Sequence, residues 1–327
     1  MTKIALFCDT PKTLGGIVSH CNALKALLEK GGEYNVSVFS NLQYRNCFGI
    51  FKLYDKRAIK NALLSDDFDI VHIHGFISTI PQSVISCMKA LKMKVPVVYT
   101  PHAHPFYTLN HPLRNKLFFH LRVKLVLKIA DTVISINKED FSFFKKYNKN
   151  VVTIPHWSER FDDHALANQK REKPIILFVG RNDENKNLKA LYDLPQNKYE
   201  VICVTNTKPE REDFIFKCRI SDDELSSLYK QAALTVVPSR YEAFSYVALD
   251  SLCAGTPVLL SDRVRIADFL QGVSGVTVCA YDKPEQLMKK IDEAIATNVD
   301  VAKVKQIFSA DTAFASYSAV YKGILNE

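Results

Sequence analysis

The sequence predicts an α/β protein of two Rossmann-like, doubly wound domains that face each other across a cleft, and three observations support this. A chain of 327 residues has room for about two domains at roughly 150 residues each. Short apolar runs, typical of buried strands, alternate along it with amphipathic helical patterns. A polar stretch without periodicity, Ser158–Pro174, separates the two alternating series and predicts a linker.

The first domain is predicted over residues 1–165. It begins with a strand at Lys3–Cys8, continues through a loop that ends in Gly15 and Gly16, and enters a helix with apolar positions from Ile17 to Leu28. Strands that alternate with helices predict a parallel sheet. The further strands are Val36–Ser40, Ile70–Ile73, Val95–Tyr99, Val133–Ile136 and Val151–Ile154, and the further helices are Ala58–Leu64 and Pro81–Leu91.

The second domain is predicted over residues 173–307 and repeats the alternation. Gly180 and Arg181 directly follow its first strand. Its strands are Ile175–Val179, Val201–Thr205, Leu234–Val237, Val258–Ser261 and Val276–Cys279, and its helices are Asp222–Ala232 and Ser245–Ala254. Residues 308–327 form a separate terminal segment.

Composition excludes a disordered or collagen-like chain, because apolar residues make up 47% and charged residues 24%, close to the soluble average. No apolar run reaches the roughly 18 residues of a membrane span, and the N-terminal apolar run is too short for a secretory signal. The protein is therefore expected in the cytoplasm. Its eight cysteines include no Cys-x-x-Cys pair, which favours reduced core thiols over a zinc site or a disulfide framework.

The charge is unevenly placed along the sequence. Residues 1–160 carry 22 Lys and Arg against 11 Asp and Glu, a net +11, whereas the remainder carries 21 against 24 and the whole chain +8. The basic half predicts a docking surface for phospholipid or nucleic acid, or else a solvated basic face. Within it, His111–Lys128 is basic, aromatic-rich and helical in pattern. This stretch fits either an anionic membrane surface or a core-packed helix with its charged face in water.

The most informative segment is Pro238–Val258. It places Glu242 in a loop after a predicted strand and Asp250 inside the helix that follows. At a rise of 1.5 Å per residue, Asp250 lies roughly 7 to 8 Å beyond the helix start, so two carboxylates flank a helix N-terminus whose amides suit phosphate. A nucleoside diphosphate sugar has a matching layout, because its sugar hydroxyls, diphosphate and ribose hydroxyls follow one another in that order.

This segment resembles the signature of glycosyltransferase family 4, the retaining group 1 enzymes of GT-B fold, in which seven residues separate two Glu. Glu242 matches the first Glu, and Asp250 replaces the second with a side chain one methylene shorter. The resemblance implies that Glu242 is a catalytic residue on the transferred sugar and that Asp250 binds the ribose. It also implies that Phe244, Ser245 and Tyr246 bind the donor at the helix start, where Ser245 replaces a family glycine.

Two other stretches resemble phosphate-binding parts of the same family. Gly180-Arg181, followed by Lys186, resembles the pattern in which Arg and Lys hold the donor diphosphate. Two cations suit that task because negative charge grows on a leaving group that no metal neutralises. Gly15 and Gly16 resemble the glycine loop that lets the backbone approach the sugar phosphate.

Histidines end two predicted strands of the first domain. His72 and His74 close one strand, and His102 follows Thr100-Pro101 after the next. The resemblance makes His102 the catalytic histidine beside the transferred sugar or the acceptor, with His104 as a near competitor. Asp67-Phe68-Asp69 has the Asp-x-Asp form that holds a divalent metal in another class of glycosyltransferases. It precedes a strand, on the side of the sheet away from ligands, so no metal site is expected.

The resemblance extends to the base site and to the tail. Main-chain atoms near Ile220 fall where the family holds the nucleotide base. Residues 308–327 resemble the terminal helix that crosses back to the first domain. No Gly-x-Gly-x-x-Gly follows the first strand, which argues against an NAD site.

The function implied by the resemblance is retaining, metal-independent transfer of a hexosyl or N-acetylhexosaminyl group from a nucleoside diphosphate sugar. A UDP-sugar is expected before a GDP-sugar, with no further cofactor. The acceptor would be a glycan or lipid-linked sugar of bacterial surface polysaccharide or lipopolysaccharide synthesis, met at the inner face of the plasma membrane by the basic first domain.

Two alternatives stay open at this point. A nucleotide-sugar epimerase of the same fold would convert the donor without an acceptor. A basic nucleic-acid-binding protein would explain the charge of residues 1–160 but not the Glu242 region. The sequence contains no aromatic-basic recognition motif, so no nucleic-acid partner is expected.

Overall fold

The computed structural model describes residues 1–9, 16–47, 51–75, 78–106, 117, 119–159, 173–280 and 283–326. The chain divides into two compact units. Unit 1 comprises Met1–Pro155 and Ala313–Glu327, and unit 2 comprises His156–Thr312. The predicted domain boundary at residue 165 lies outside the described residues.

Unit 1 is built on a six-stranded parallel sheet in the order β2-β1-β5-β6-β7-β8, beside a two-stranded antiparallel hairpin of β3 and β4. These labels follow the chain. The elements are β1 (Thr2–Phe7), α1 (Gly16–Glu29), β2 (Tyr34–Phe39), β3 (Tyr44–Cys47), β4 (Phe51–Tyr54), α2 (Lys56–Leu63), β5 (Ile70–His74), α3 (Ile80–Ala90), β6 (Val97–Thr100), a π-helical turn (Phe119–Val123), α4 (Lys124–Ile129), β7 (Thr132–Ser135), α5 (Lys138–Phe144) and β8 (Val151–Thr153).

Unit 2 is built on a second six-stranded parallel sheet, in the order β11-β10-β9-β12-β13-β14. This is the Rossmann strand order, which reverses between its first and fourth strands. The elements are β9 (Ile175–Val179), a 3-10 turn (Leu188–Leu191), β10 (Glu200–Val204), β11 (Ile215–Lys217), α6 (Asp222–Gln231), β12 (Leu234–Val237), α7 (Tyr246–Cys253), β13 (Val258–Ser261), a second 3-10 turn (Arg265–Phe269), β14 (Val276–Cys279), α8 (Pro284–Ile295) and α9 (Val301–Ile307).

The predicted α/β class, with two doubly wound parallel sheets, is confirmed. Each strand predicted from an apolar run lies in one of the two sheets. All residues of β5 are buried, as are the last four of β1. Both faces of such a sheet are covered, which is why its strands read as continuous apolar runs.

The sequence prediction missed the hairpin of β3 and β4 and the edge strand β11. These strands are short and mix apolar with polar residues, since β3 reads Tyr-Arg-Asn-Cys, β4 reads Phe-Lys-Leu-Tyr and β11 reads Ile-Phe-Lys. Ile215 in β11 is also 41% exposed. Partly exposed strands of three or four residues give no periodicity that distinguishes them from loops.

The last helix, α10 (Ala310–Leu325), belongs to unit 1 from Ala313 onwards. It inserts two fully buried tyrosines, Tyr317 and Tyr321, into that unit. The Tyr321 hydroxyl and His72 Nδ1 share a hydrogen bond of 2.8 Å. Near the end of the helix, Lys322 Nζ lies 2.7 Å from a carboxylate oxygen of Glu33.

The basic stretch His111–Lys128 is described only at 117 and from 119 onwards. Phe119, Val126 and Leu127 are buried in the core of unit 1, whereas Leu117 and Leu125 are 61% and 53% exposed. The described part of this stretch is therefore a core-packed segment with a partly apolar outer face. No helix within the described residues is both long and apolar enough to cross a bilayer.

The cysteines of the described side chains are thiols rather than disulfides, as predicted from their spacing. All except Cys218 are buried. Burial raises the pKa of the Cys203 thiol to about 12, so this sulfur stays protonated at neutral pH.

Candidate active site

In unit 2, the strands β9 and β12 are neighbours in the sheet. The strand that follows β9 in the chain, β10, lies on one side of this pair, and the strand that follows β12, β13, lies on the other. Ligands of doubly wound sheets bind outside the carboxyl ends of the strands at such a point. The loop after β9 carries Gly180, Arg181 and Lys186, and the loop after β12 carries Glu242. The topology therefore brings these four predicted residues to one edge of the sheet.

Lys186 and Glu242 form the central contact of this edge. Lys186 Nζ lies 2.8 Å from Glu242 Oε1, and the two side chains are 22% and 10% exposed. The Ser239 hydroxyl donates to the same carboxylate oxygen at 2.6 Å. The stem of Lys186 passes along Gly180, where an added Cβ would lie 3.4 Å from its Cδ. A half-buried cation and a mostly buried carboxylate are thus held together with little room to move.

The main chain of Glu242 is fixed by the loop that follows β13. The Glu242 amide donates to the Arg263 carbonyl at 3.1 Å, and the Arg265 amide donates to the Glu242 carbonyl at 3.0 Å. These bonds form a short parallel bridge between Glu242 and Val264. The loop after β13 therefore positions the main chain of the candidate catalytic residue.

The loops after β9 and β12 are also bonded directly to each other. The Arg240 amide donates to the Asn185 carbonyl at 2.7 Å. The Asn185 and Asn187 side-chain amides donate to the carbonyls of Tyr241 and Pro238, each at 3.1 Å. This role of the two asparagines was not predicted, because a loop asparagine gives no signal of the backbone it will contact.

Arg181 is the exposed cation of the same edge. Its side chain is 70% exposed, and its guanidinium lies 2.9 Å from Asp183 Oδ2. The other carboxylate oxygen of Asp183, Oδ1, accepts from the Lys186 amide at 2.9 Å. An exposed ion pair of this kind contributes little to stability. Arg181 can therefore leave Asp183 for an anionic ligand at small cost.

The start of α7 is held by aromatic side chains. Ser245 is its N-cap and accepts from the Ala248 amide at 3.3 Å. Tyr246 stacks on His156 with ring centroids 5.1 Å apart and an interplanar angle of 15°, and Phe244 meets the same histidine edge-on at 5.1 Å. His156 was not predicted as a site residue, but it fixes the two aromatics that were.

Asp250 lies inside α7 with only 8% of its surface exposed. Its Oδ1 accepts from the Ser158 hydroxyl at 2.8 Å. The Asp250 carboxylate therefore faces the chain segment that begins unit 2. A ribose hydroxyl bound to Asp250 would use the same carboxylate as Ser158.

Three more residues, Ile220, Gly16 and Gly15, were predicted to bind the sugar donor. Ile220 lies half-buried between Arg219, whose φ is 55°, and Ser221, the N-cap of α6. Gly16 is the first residue of α1, and an added Cβ would meet nothing within 4 Å. Gly15 lies outside the described residues.

In unit 1, four histidines gather near the carboxyl ends of β5 and β6. His74 Nδ1 and His102 Nε2 share a hydrogen bond of 2.8 Å. His72 bonds through its two ring nitrogens to Tyr321 and to Thr100. The ring of His20, from α1, lies edge-on to that of His102 with centroids 5.0 Å apart.

Burial controls the charge of these histidines. It lowers the pKa of His20 to about 3. Burial, and then the charges of neighbouring histidines, also hold the pKa values of His72 and His102 well below the usual range. The three rings are therefore neutral at pH 7. The backbone of His102 has a φ of 67°, in the left-handed region that a side chain rarely adopts.

The two candidate catalytic histidines have different surroundings. His104 is 5% exposed, its ring lies 4.6 Å from that of Phe143, and its Nδ1 accepts from the Phe106 amide at 3.3 Å. It is part of an aromatic cluster, whereas His102 lies with the other histidines.

The Asp67–Asp69 stretch has a structural role. Asp69 Oδ2 accepts from the Lys3 amide at 2.8 Å, and the neighbouring Asp66 lies 2.6 Å from Lys3 Nζ. These acids tie the amino ends of β1 and β5 together, opposite the edge where the histidines lie.

Two family models match the chain. Residues 15–159 match the model described as Glycosyltransferase Family 4, and residues 173–297 match the model described as Glycosyl transferases group 1. A glycosyltransferase of Methanocaldococcus jannaschii, MJ1178, itself uncharacterised, is 23% identical over 309 residues, which cover 86% of this chain and 85% of that one.

A second relative is named by its reaction. It is the Campylobacter jejuni GalNAc-alpha-(1->4)-GalNAc-alpha-(1->3)-diNAcBac-PP-undecaprenol alpha-1,4-N-acetyl-D-galactosaminyltransferase, 21% identical over 250 residues, which cover 74% of this chain and 64% of that one. Among solved structures, the sucrose-phosphate synthase of Thermosynechococcus elongatus matches 100% of both chains with a TM-score of 0.77 at 17% identity. This likeness confirms the predicted fold.

Proposed function

The chain belongs to the group 1 glycosyltransferases of family 4, and on that premise we propose that unit 2 binds a nucleoside diphosphate sugar and that its glycosyl group is transferred with retention of configuration. The observation that carries this proposal is the contact between Lys186 and Glu242 at the strand-order reversal of unit 2. It offers one cation for a diphosphate and one carboxylate for sugar hydroxyls, 2.8 Å apart.

The roles of the surrounding residues follow from their contacts. Arg181 and Lys186 would neutralise the diphosphate as the bond to the sugar breaks. The amides at the start of α7, next to Ser245, would face the phosphate oxygens. Glu242 would grip hydroxyls of the transferred sugar while positive charge develops at the anomeric carbon.

The transfer itself would use few protein groups. The departing diphosphate would take the proton of the acceptor hydroxyl on the face from which it leaves, which accounts for retention. A hydrolase would need two carboxylates on either side of one bond. Glu242 instead lies in the loop at the carboxyl end of β12, and Asp250 is buried in α7 with Ser158. Their separate settings favour separate roles on one donor.

We assign acceptor binding to unit 1. Residues 1–160 carry a net +11, which suits an acceptor with a phosphate or diphosphate group, or an anionic membrane surface that presents it. The Campylobacter relative acts on an undecaprenyl diphosphate-linked glycan by its name, and we propose a lipid-linked glycan as the acceptor class here. In unit 1, His102 is assigned to the acceptor or to a hydroxyl of the transferred sugar.

Labelled donors test the proposed function. We expect the protein to move label from a UDP-hexose or UDP-N-acetylhexosamine into a polyprenyl diphosphate-linked glycan, and to do so equally well in EDTA, because Arg181 and Lys186 supply the positive charge. GDP-sugars serve as the donor control. Conversion of the labelled sugar without an acceptor would identify an epimerase instead. A strict requirement for Mg²⁺ or Mn²⁺ would contradict the assigned role of the two cations.

Arg181→Ala tests the outer part of the diphosphate site. We expect the Kd for UDP to rise about tenfold, since one charge-assisted hydrogen bond is lost. The Tm should stay unchanged because the Arg181 side chain is 70% exposed. Calorimetry measures the affinity. Lys198→Ala is the control, because Lys198 lies just before β10, at the amino edge of the sheet, and pairs with Asp292. Equal affinities of the two variants would remove Arg181 from the site.

A further inference from the structure

We propose that His20, His74 and His102 of unit 1 bind a divalent transition-metal ion, Zn²⁺ above all, that is not needed for glycosyl transfer. The three residues come from α1, from the end of β5 and from the segment after β6. One ring nitrogen of each lies within 4.8 Å of the corresponding nitrogens of the other two. Three histidines with a fourth position open are a common protein ligand set for zinc.

The distances are close to those of a metal site. A Zn–N bond of about 2.0–2.1 Å places the nitrogens of a tetrahedral site about 3.3 Å apart. His74 Nδ1 and His102 Nε2 are 2.8 Å apart in a hydrogen bond, so they would separate slightly as the shared proton moves to the other nitrogen of the ring that carries it. The widest pair, at most 4.8 Å apart, would close by about 1.5 Å. Rotation of the rings about their side-chain torsions moves their nitrogens by distances of this order.

The chemistry of the three rings suits a cation. All three ligands are imidazoles, which bind metals in their neutral form, and His20 and His74 are buried while His102 is half-buried. The Asp67–Asp69 stretch lies at the opposite end of β5. Imidazole nitrogens without carboxylate oxygens favour Zn²⁺ over Mg²⁺ or Ca²⁺.

Neighbouring residues hold the ligands in place. The ring of His72 lies 4.0 Å from that of His74, and both nitrogens of His72 are already bonded, to Tyr321 and to Thr100. The Tyr317 hydroxyl lies 3.3 Å from His20 Nε2. Buried hydrogen bonds around the ligands fix their orientation and raise metal affinity. The rings therefore need little ordering when an ion binds.

The metal would oppose the transfer reaction. The proposed function assigns His102 to the acceptor or to the transferred sugar, and an ion bound to His102 would withdraw it from that contact. Added zinc should then inhibit transfer, and EDTA should reverse the inhibition. This consequence rests on the proposed function. The binding of zinc does not, because it is measured without donor or acceptor.

The test is a metal titration of the full chain. We expect one Zn²⁺ per chain in competition with a chromophoric chelator, and Co²⁺ should give the visible absorption of a tetrahedral nitrogen site. His102→Ala and His20→Ala should each weaken zinc binding at least about tenfold. His120→Ala is the control, because His120 is an exposed histidine of the same unit outside the cluster, and its affinity should not change.

The Tm of each variant in EDTA separates lost ligation from lost folding. His102 is less buried than His20, so His102→Ala is the variant expected to stay folded if His20→Ala does not. Failure of the wild-type chain to bind one equivalent of zinc at micromolar concentration would overturn the proposal. Equally tight binding by a folded His102→Ala variant would overturn it too, because the ion would then lie elsewhere.

Discussion

Glu242→Gln is expected to lower kcat by about 10²–10³-fold, the size of effect seen when one electrostatic contact to a transition state is removed. Glutamine keeps the shape of the side chain and its bond from Ser239, but it cannot balance the positive charge that grows on the transferred sugar. The Kd for UDP should not rise, because UDP has no sugar for this residue to grip. Turnover with the labelled donor and calorimetry with UDP measure the two quantities.

Asp250→Asn is the matched comparison for Glu242→Gln. It should raise the Kd for UDP about tenfold through lost ribose contacts, while kcat at saturating donor falls much less. Asparagine can still accept from Ser158, which bonds Asp250 at 2.8 Å, so α7 should remain folded. A Glu242 variant that turns over normally, or equal losses of UDP affinity in the two variants, would contradict the proposed division of roles.

Lys186→Met should raise the Kd for UDP by about 10–100-fold, because hydrogen bonds to charged groups contribute roughly 1.5–3 kcal/mol. Methionine keeps the apolar stem against Gly180 and removes only the ammonium group. Lys189→Met is the control, since Lys189 is 67% exposed and pairs with Glu210 at 3.0 Å. Calorimetry with UDP would contradict the prediction if the Lys186 variant bound as tightly as the Lys189 variant.

Stability must be followed in the same experiment. Lys186 neutralises a carboxylate that is only 10% exposed, so its loss leaves a nearly buried charge without its cation, and the Tm should fall. Combining Lys186→Met with Glu242→Gln removes both charges. The double variant should recover much of the Tm but not the affinity for UDP, which separates the structural effect from the effect on binding.

Most of the fold could be predicted because its strands are buried on both faces. The apolar runs around Ile70 and Ile175 predicted strands where the structure has β5 and β9. Glycine and polar loop residues between such runs marked where strands and helices end. Glu242, predicted from the sequence as a site residue, follows β12 at the strand-order reversal of unit 2. Local sequence carries this information because each element is defined by residues close to one another in the chain.

What could not be predicted depends on contacts between distant parts of the sequence. Ser158 bonds Asp250, and His156 stacks on Tyr246, although about ninety positions separate the partners of each pair in the sequence. Nothing near His20 indicates that it meets His102 from another element. Periodicity reports which face of an element is buried, but it does not report which other element covers that face.

The return of α10 to unit 1 also sets an order of events during synthesis. Unit 2 is one continuous segment, His156–Thr312, whereas unit 1 needs Ala313–Glu327 to be complete. At about 5–20 residues per second, the buried Tyr321 leaves the ribosome roughly 10 to 30 s after the first part of unit 1. In that interval β5 has been synthesised, but Tyr321, the hydrogen-bond partner of His72, has not. Unit 1 therefore starts to be synthesised before unit 2 but finishes folding after it. A stop codon directly after Thr312 would therefore damage unit 1 and spare unit 2.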